Sequence, residues 1–340
     1  MATDASPRAP ITQGSSGSLH KRALELLWLA TCLSALGRGG LHFSKDQPYW
    51  SLFWSEELIG APLALVGLSW SAYVESPLVE GLLSAMVSCF GVLYLLCAAL
   101  LARETALIIK TGELPSARPL LRWSLWGLFA LQLLYVSCDW LSHSLYLPIW
   151  FEQSAQLSLP WLCLAVGFKS LQPSAHSSAI GLHLERAPIT VTRLAISCTF
   201  LGHGAFALGI YPVPQDYVIM VMRTLSCEEQ TALSLLWWAG ALDVLTALAV
   251  WTPRSKLRVR WAALAYMLVW GTITALGRVV GHWGLGTISQ TLWHWIPELM
   301  LRLPHALIPW WLLTLEGGVR PSARWRAYLG ASAMKREEER

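Results

Sequence analysis

Long apolar runs, separated by shorter polar segments, are the main pattern along this chain of 340 residues. Each run lasts roughly 16–25 residues, close to the ~20 that a helix needs to cross the hydrocarbon core of a membrane. The runs begin near Ala23, Val79, Leu120, Ala155, Val191, Thr231, Trp261 and Leu292. Period-two alternation is absent, which argues against a membrane β-barrel. Because helices satisfy their own backbone groups in lipid, we expect an all-α polytopic membrane helical bundle with about eight transmembrane helices.

Basic residues are concentrated in every second polar segment. The five basic segments contain Lys21, Arg22, Arg103, Lys110, Arg118, Arg122, Lys169, Arg186, Arg193, Arg254, Lys256, Arg258, Arg260, Arg320, Arg324, Arg326, Lys335, Arg336 and Arg340. The segments between them contain Lys45 and Arg223, together with acids such as Glu56, Asp216 and Glu228. Lys and Arg are enriched in cytoplasmic loops. The alternation therefore predicts an even number of spans and cytoplasmic N and C termini.

Composition supports a membrane location and excludes several classes of function. Apolar residues make up 54% of the chain and charged residues 14%, whereas soluble domains carry about 25% charged residues. The net charge of +4 forms no continuous patch, so nucleic-acid binding is not expected. The seven cysteines are scattered singly, without metal-ligand spacing, so we expect no metal site. Most of the twenty tryptophans lie near run ends, as in aromatic belts, with a Trp-rich carbohydrate or cofactor site as the alternative.

Short motifs recur in the same order in the two halves of the chain. Leu36-Gly37-Arg38-Gly39 corresponds to Leu201-Gly202-His203-Gly204, and Phe90-Gly91-Val92-Leu93 corresponds to Ala239-Gly240-Ala241-Leu242. Arg122-Trp123 corresponds to Arg260-Trp261, and Leu157-Ser158-Leu159-Pro160 corresponds to Leu301-Arg302-Leu303-Pro304. With an even number of spans in each half, the repeats are parallel and related by an axis along the membrane normal.

The predicted organisation follows from these runs and motifs. Residues 1–20 form a disordered cytoplasmic tail, and residues 21–172 the first four-helix repeat, with an external interfacial segment at 42–77. Residues 173–190 form a cytoplasmic linker, residues 191–318 the second four-helix repeat, and residues 319–340 a basic cytoplasmic tail. The absence of a eukaryotic targeting signal favours the inner (cytoplasmic) membrane as the location of this multi-pass protein.

The second half, mainly residues 190–316, resembles a known family. Its sequence from Arg193 through Phe200-Leu201-Gly202-His203-Gly204 to Arg302-Leu303-Pro304-His305 is similar to the DoxX-like and vitamin-K-carboxylase-like superfamily of four-helix membrane units. That resemblance implies a four-helix membrane fold, here duplicated. Members of the superfamily have been associated with quinone-linked sulfur oxidation, which makes a quinone one candidate ligand.

Ionisable groups inside a bilayer need a reason, since an Arg at a helix centre costs about 2.5–3.5 kcal/mol on insertion scales. Glu298, Arg302 and His305 lie on one face of the eighth predicted helix, in the order that favours a Glu–Arg ion pair, and Pro304 interrupts that helix. Arg278 and His282 share a face of the seventh, and His203 lies between two glycines of the fifth. The predicted ligand-binding residues of the second repeat are therefore His203, Arg278, His282, Glu298, Arg302 and His305.

Two interpretations of these residues remain open. In the first, they pair with one another and with Asp243, and only hold the bundle together. In the second, they line an external-side pocket for a lipid-like or quinone-like molecule. The first half offers Arg38, His42, Asp139, His143 and Glu152 near its external surface, which suggests one working site and one structural repeat. A two-haem site is disfavoured, because it needs two histidines about one leaflet apart on each of two helices, and a single haem held by His203 and His305 is a less favoured alternative.

Function is less constrained than topology. The leading hypothesis is a ligand-binding protein, as a subunit of a membrane complex with membrane lipid and other membrane subunits as partners. The alternatives are a small-solute transporter, a quinone-linked membrane oxidoreductase component and a purely structural subunit. The sequence contains no P-loop, GxGxxG, HExxH or GxSxG motif, and it leaves open whether the protein is an enzyme.

Overall fold

The computed structural model describes residues 14–111, 119–167, 186–284 and 286–317, and in these ranges it contains helices and no strand. The α-helices are α1 (Gly14–Ser44), α2 (Pro48–Phe53), α3 (Glu56–Leu65), α4 (Trp70–Val74), α5 (Pro77–Thr111), α6 (Pro119–Ser142), α7 (Leu147–Glu152), α8 (Ser154–Gly167), α9 (Arg186–Ala207), α10 (Gln215–Leu225), α11 (Glu229–Ala249), α12 (Leu257–Gly281), α13 (Ile288–Arg302) and α14 (Pro304–Gly317). The predicted all-α fold class is confirmed.

Four of these helices are long and apolar enough to cross a membrane, namely α5, α6, α11 and α12. Only 28–33% of the most apolar window of each is buried inside the protein. Their outward faces carry large apolar side chains such as Leu96, Leu245 and Val269, all more than half exposed. Because an apolar outer surface of this kind is suited to hydrocarbon rather than to water, these four helices form the lipid-facing part of a membrane protein.

Helices α1 and α9 lie inside the bundle. Helix α1 packs against α5, α8, α13 and α14, and α9 packs against α7, α8, α11 and α14. Trp28 on α1 and Ile196 on α9 are completely buried, and both belong to the main apolar core together with Trp311. Because other helices surround α1 and α9, they tolerate buried polar residues that a lipid-facing helix would not.

Two helix pairs, α7–α8 and α13–α14, are each separated by a break in the helix. The predicted run beginning at Ala155 is preceded by α7, and α7 and α8 meet at Gln153. The predicted run beginning at Leu292 divides into α13 and α14, which meet at Leu303, as expected from Pro304 at the first position of α14. Both breaks release backbone carbonyls from the helical pattern, and these carbonyls need other donors.

Glycines allow very close approach between the inner helices and the broken pairs. A Cβ on Gly37 would lie 2.5 Å from the backbone nitrogen of Leu301, and a Cβ on Gly202 would lie 2.7 Å from the backbone nitrogen of Glu152. A Cβ on Gly39 would lie 3.2 Å from the carbonyl oxygen of Gly91. A Cβ on Gly204 would likewise lie 3.0 Å from the carbonyl oxygen of Gly240. At Gly37 and Gly202 the contacts under 3.0 Å are with backbone atoms, so a larger residue at either position would push two helices apart.

The predicted boundaries require corrections. Helix α1 begins at Gly14, inside the tail predicted for residues 1–20, because no proline after Pro10 interrupts the backbone there. It also continues to Ser44, past the predicted start of the external segment at residue 42. Helix α9 begins at Arg186, inside the predicted linker 173–190. The rest of the tail, most of the linker and the basic tail 319–340 lie outside the described residues.

An ion cluster joins three helices at the end of the bundle opposite α10. Arg193 on α9 donates to Glu316 on α14, and Arg260 Nη1 on α12 donates to the same carboxylate oxygen at 3.1 Å. Arg260 also donates to the backbone oxygen of Thr252. Glu316 and Arg260 are both buried, so the cluster fixes α9, α12 and α14 relative to one another at this end.

Candidate functional site

A cavity of about 370 Å³ lies in the second half of the chain. Its walls come from α9, α10, α11 and α12, and the start of α14 and the end of α13 close one side. Most of the lining is apolar, with Phe200, Leu236, Ala239 and Ile273 among the contributors. The polar lining groups are His203, Tyr217, Thr224, Asp243, Trp270, Thr274, Arg278, Arg302 and His305. The cavity thus combines an apolar body with one strongly polar side.

Helix α10 covers the cavity. Tyr217, Met220, Val221 and Thr224 lie along one face of α10 and line the cavity, as expected for an amphipathic helix. The helix packs against both α11 and α12, and the backbone of Met220 would be only 3.1 Å from a Cβ on Gly281. Helix α10 was not predicted from the sequence, since it is only 11 residues long and its apolar run, from Tyr217 to Met222, is too short for a span.

The centre of the polar side is a cluster of Glu152, His203 and Tyr217. Nδ1 of His203 lies 2.7 Å from Oε1 of Glu152 and 2.9 Å from the hydroxyl of Tyr217. The hydroxyl of Tyr217 donates to the same oxygen of Glu152. Burial raises the pKa of the Tyr217 phenol, and the nearby Glu152 carboxylate raises it further, so the hydroxyl keeps the proton that it donates.

Arg302 determines which nitrogen of His203 carries the proton. Nη1 of Arg302 lies 3.4 Å from Nε2 of His203, and a guanidinium can only donate. Nε2 of His203 is therefore an acceptor, which places the proton on Nδ1, where it is donated to Glu152. This assignment follows from the hydrogen-bond partners, as tautomers are inferred rather than seen.

Glu298 and His282 lie beside the cavity rather than in its wall. Glu298 pairs with Lys45 at 3.2 Å and with Arg302 at 3.8 Å, which confirms the Glu298–Arg302 pair expected from their spacing. The ring of His282 stacks on Trp295, with 3.5 Å between ring centroids, and the ammonium of Lys45 lies 3.9 Å from the centroid of Trp295. These residues therefore lie outside the cavity wall, where Glu298 contacts Arg302 of the polar side.

Arg278 and Asp243 occupy other parts of the lining. Nη1 of Arg278 is 4.0 Å from Oδ2 of Asp216, whose side chain is 60% exposed. The guanidinium of Arg278 also lies 5.2 Å from the centre of the Tyr217 ring. Asp243 accepts from the hydroxyl of Tyr266 at 3.2 Å and has no arginine partner in the described residues, contrary to the pairing considered from the sequence.

His305 completes the polar side from the far side of the α13–α14 break. Its ring lies 5.2 Å from the ring of His203, edge to face, and its Nε2 lies 2.8 Å from the side-chain amide of Gln156. Of the six predicted residues, His203, Arg278, Arg302 and His305 line the cavity. The two rings contact each other directly, so no haem plane fits between them.

Glu152, Gln156, Tyr217 and Asp243 belong to the site but were not predicted from the sequence. Gln156 could have been found from the sequence, because it is a polar residue near the start of the apolar run that begins at Ala155. Asp243 lies at the level of His203, because a Cβ on Gly204, the next residue along α9, would be 3.6 Å from the Cβ of Asp243. Within the described ranges, no group of three or more His, Cys, Asp or Glu residues is arranged to hold a metal ion.

Comparisons with known proteins identify no relative of this chain. No family model matches it, and no curated protein or solved structure matches it.

Proposed function

We propose that this protein is an integral membrane protein that binds a lipid-like or quinone-like molecule in the cavity of its second half. The headgroup contacts the polar side formed by His203, Arg302 and His305, and the apolar body lies between α9, α10, α11 and α12. The observation that carries the proposal is the combination of apolar walls with a fixed, buried polar network in one cavity of about 370 Å³. Small-molecule sites have this character, with volumes of about 300–1,000 Å³.

The proposed topology has eight crossings and cytoplasmic termini. Besides the four apolar outer helices, the crossings are α1, α9 and the broken pairs α7–α8 and α13–α14. Helix α1 has 31 residues and α9 has 22, and both exceed the ~20 residues that a span requires. The concentration of basic residues in alternate loops supports the cytoplasmic assignment of the termini, and the inner membrane is the proposed location.

Two parallel repeats, as in the DoxX-like resemblance, account for the matched glycine contacts. Gly37 faces Pro297 and Leu301, as Gly202 faces Pro148 and Glu152. The internal prolines Pro160 of α8 and Pro309 of α14 are separated by the same number of residues as Pro148 and Pro297, so they match in this pairing as well. This pairing replaces the match of Leu157–Pro160 with Leu301–Pro304 that the sequence suggested.

The correspondence between the repeat motifs of the two halves also supports a single ligand-binding site. Where the second half has Ala207, Ala239, Asp243 and Ile273 at the cavity, the first half has His42, Phe90, Tyr94 and Tyr135. His42 contacts the rings of Tyr94 and Tyr135, with centroids 5.2 and 6.2 Å apart. Larger side chains thus fill the corresponding space in the first half, which leaves the second half as the ligand-binding repeat.

A small-solute transporter is the second candidate. The broken pairs α7–α8 and α13–α14 meet at the polar side of the cavity, and broken helices commonly form transporter binding sites. The buried Arg193–Glu316–Arg260 cluster would then close the cytoplasmic end. Uptake into proteoliposomes that depends on Arg278 or Asp243 would favour this alternative over ligand binding alone.

Native mass spectrometry tests the proposal. The wild-type protein, purified in mild detergent, is compared with Arg302→Leu, His203→Leu and a control, His143→Leu, which changes a half-exposed residue at the end of α6. We expect a bound mass in the wild type and in the control, and its loss from the two cavity variants. A folded wild type that carries no bound molecule, or equal content in all four proteins, would contradict the proposal.

A further inference from the structure

The hydrogen bonds of His305 fix its proton. The side chain of Gln156 satisfies its surroundings when its Nε2 donates to the backbone oxygens of Glu152 and Gln153, at 3.2 Å each. These are carbonyls at the α7–α8 break. In this orientation Oε1 of Gln156 accepts from Nε2 of His305 at 2.8 Å. His305 therefore carries its proton on Nε2, and its Nδ1 has a free lone pair.

Nδ1 of His305 has no hydrogen-bond partner in the part of the chain that the structure describes, although the residue is only 3% exposed. Leaving a buried acceptor without a donor is unfavourable. His305 lines the cavity, and the nearest ring, His203, cannot supply the donor. Both nitrogens of His203 are already engaged, Nδ1 with Glu152 and Nε2 with Arg302. The described residues therefore supply no donor to Nδ1, and a molecule in the cavity, either water or a bound ligand, is left to supply one.

The charges around the polar side are already balanced. The cations Lys45, Arg278 and Arg302 face the carboxylates of Glu298, Asp216 and Glu152. An anionic headgroup would be an additional, uncompensated buried charge, which is costly. The two arginines of the wall act here as hydrogen-bond donors rather than as a net positive site.

We propose that the ligand of this cavity is a neutral, single-chain or single-ring amphiphile whose hydroxyl group donates to Nδ1 of His305. An oxygen of the same headgroup accepts from Arg302. This inference rests on the proposed ligand-binding function and specifies its ligand class. The cavity volume of about 370 Å³ lies at the small end of the range for ligand sites, which excludes a two-chain phospholipid as the fully enclosed ligand.

The test compares three probes with the same chain: dodecanol, dodecyl methyl ether and dodecanoate. Dodecanol offers a hydroxyl donor, the ether only an acceptor, and dodecanoate a negative charge. Equilibrium binding of radiolabelled probes is measured on the delipidated full-length protein in nanodiscs. For the wild type we expect dodecanol to bind roughly 3–10-fold more tightly than the ether, the effect of about one hydrogen bond, and dodecanoate to bind most weakly.

His305→Phe and Ala239→Phe separate the ligand class from the binding function. His305→Phe keeps a ring but removes the acceptor, so dodecanol and the ether should bind equally. Ala239→Phe fills the cavity and should abolish binding of all three probes. If the probes bind the wild type but not Ala239→Phe, and show no preference for dodecanol or a preference for dodecanoate, the ligand class is wrong while the binding function stands. If no probe binds the wild type better than Ala239→Phe, both proposals fail.

A measurement on the unmutated protein guards against a variant that does not fold. In a ¹⁵N spectrum of ring-labelled histidine, His305 should show an unprotonated Nδ1 resonance. Dodecanol should shift this resonance, and the ether should leave it in place. A protonated Nδ1, or an equal response to both probes, would overturn the inference.

Discussion

The close contact between α9 and α7 gives a direct test of the packing around the site. Replacing Gly202 with Ala adds a Cβ that would lie 2.7 Å from the backbone nitrogen of Glu152 and 2.8 Å from the backbone oxygen of Pro148. Ordinary van der Waals contact begins at 3.4 Å, so α7 and α9 must separate by about 0.7 Å, the difference between 3.4 and 2.7 Å, to restore it. The obstructing atoms belong to backbone, so no side-chain rotation can relieve the clash.

Overpacking of this kind costs about 1–3 kcal/mol. One kcal/mol lowers the melting temperature by about 2–4 °C for a domain of 150–250 residues, and by less for a longer chain. We therefore expect Gly202→Ala to lower the apparent melting temperature by about 1–4 °C. The movement of α7 also displaces Glu152 relative to His203, so the polar cluster should be disturbed as well.

The assay is thermal unfolding of the detergent-solubilised protein, followed by size-exclusion chromatography. Gly127→Ala on α6 is the matched control, because nothing lies within 4 Å of a Cβ at that position, and Ala is favoured over Gly inside a helix by about 0.5–1 kcal/mol. The control should melt at the wild-type temperature or slightly above it. If Gly202→Ala melts as high as Gly127→Ala, the described contact between α9 and α7 is wrong.

Three further predictions concern the cavity, the opposite end of the bundle and the protein surface. Ala239→Phe should remove the co-purified molecule detected by native mass spectrometry, whereas Ser234→Phe on the exposed face of the same helix should retain it; equal retention would refute the cavity as the site. Glu316→Leu leaves the buried Arg260 and the partly buried Arg193 without their carboxylate and should cost about 3–5 kcal/mol, seen as a clear fall in melting temperature; an unchanged value would mean that the cluster contributes little. His143, whose pKa is raised to about 9 by its hydrogen bond to Asp139, should titrate in an NMR experiment above the ordinary histidine range, and Asp139→Asn should return it there. Because that pKa is raised, the small contribution of the pair to stability should be complete below about pH 6.5 and should be lost as the pH rises through about 9.

Local sequence was sufficient for the helices but not for their assembly. The apolar runs predicted helices because runs of this length are continuous in sequence, and each run coincides with α-helix in the structure. Helices α7 and α10 were missed, because they contain 6 and 11 residues and lack a long apolar run. The i,i+4 spacing predicted the Glu298–Arg302 pair, since both residues lie on α13.

The site depends on contacts between the two halves, which no local pattern encodes. Glu152 was expected near the external surface of the first half, yet it bonds to His203 and Tyr217 because α7 packs against α9. His282 was expected in the pocket because it shares a helical face with Arg278. Its ring instead stacks on Trp295 of α13, a contact that depends on how α12 and α13 meet. Residue types therefore indicated a polar pocket, whereas tertiary packing decides which side chains reach it.

The most direct test of the proposed function is a cryo-EM structure of the wild-type protein, purified from its own membrane without added lipid. The account predicts elongated non-protein density between α9, α10, α11 and α12, with its polar end within hydrogen-bonding distance of Arg302 and Nδ1 of His305. A cavity filled only by ordered water, or collapsed around Ala239 and Ile273, would contradict it.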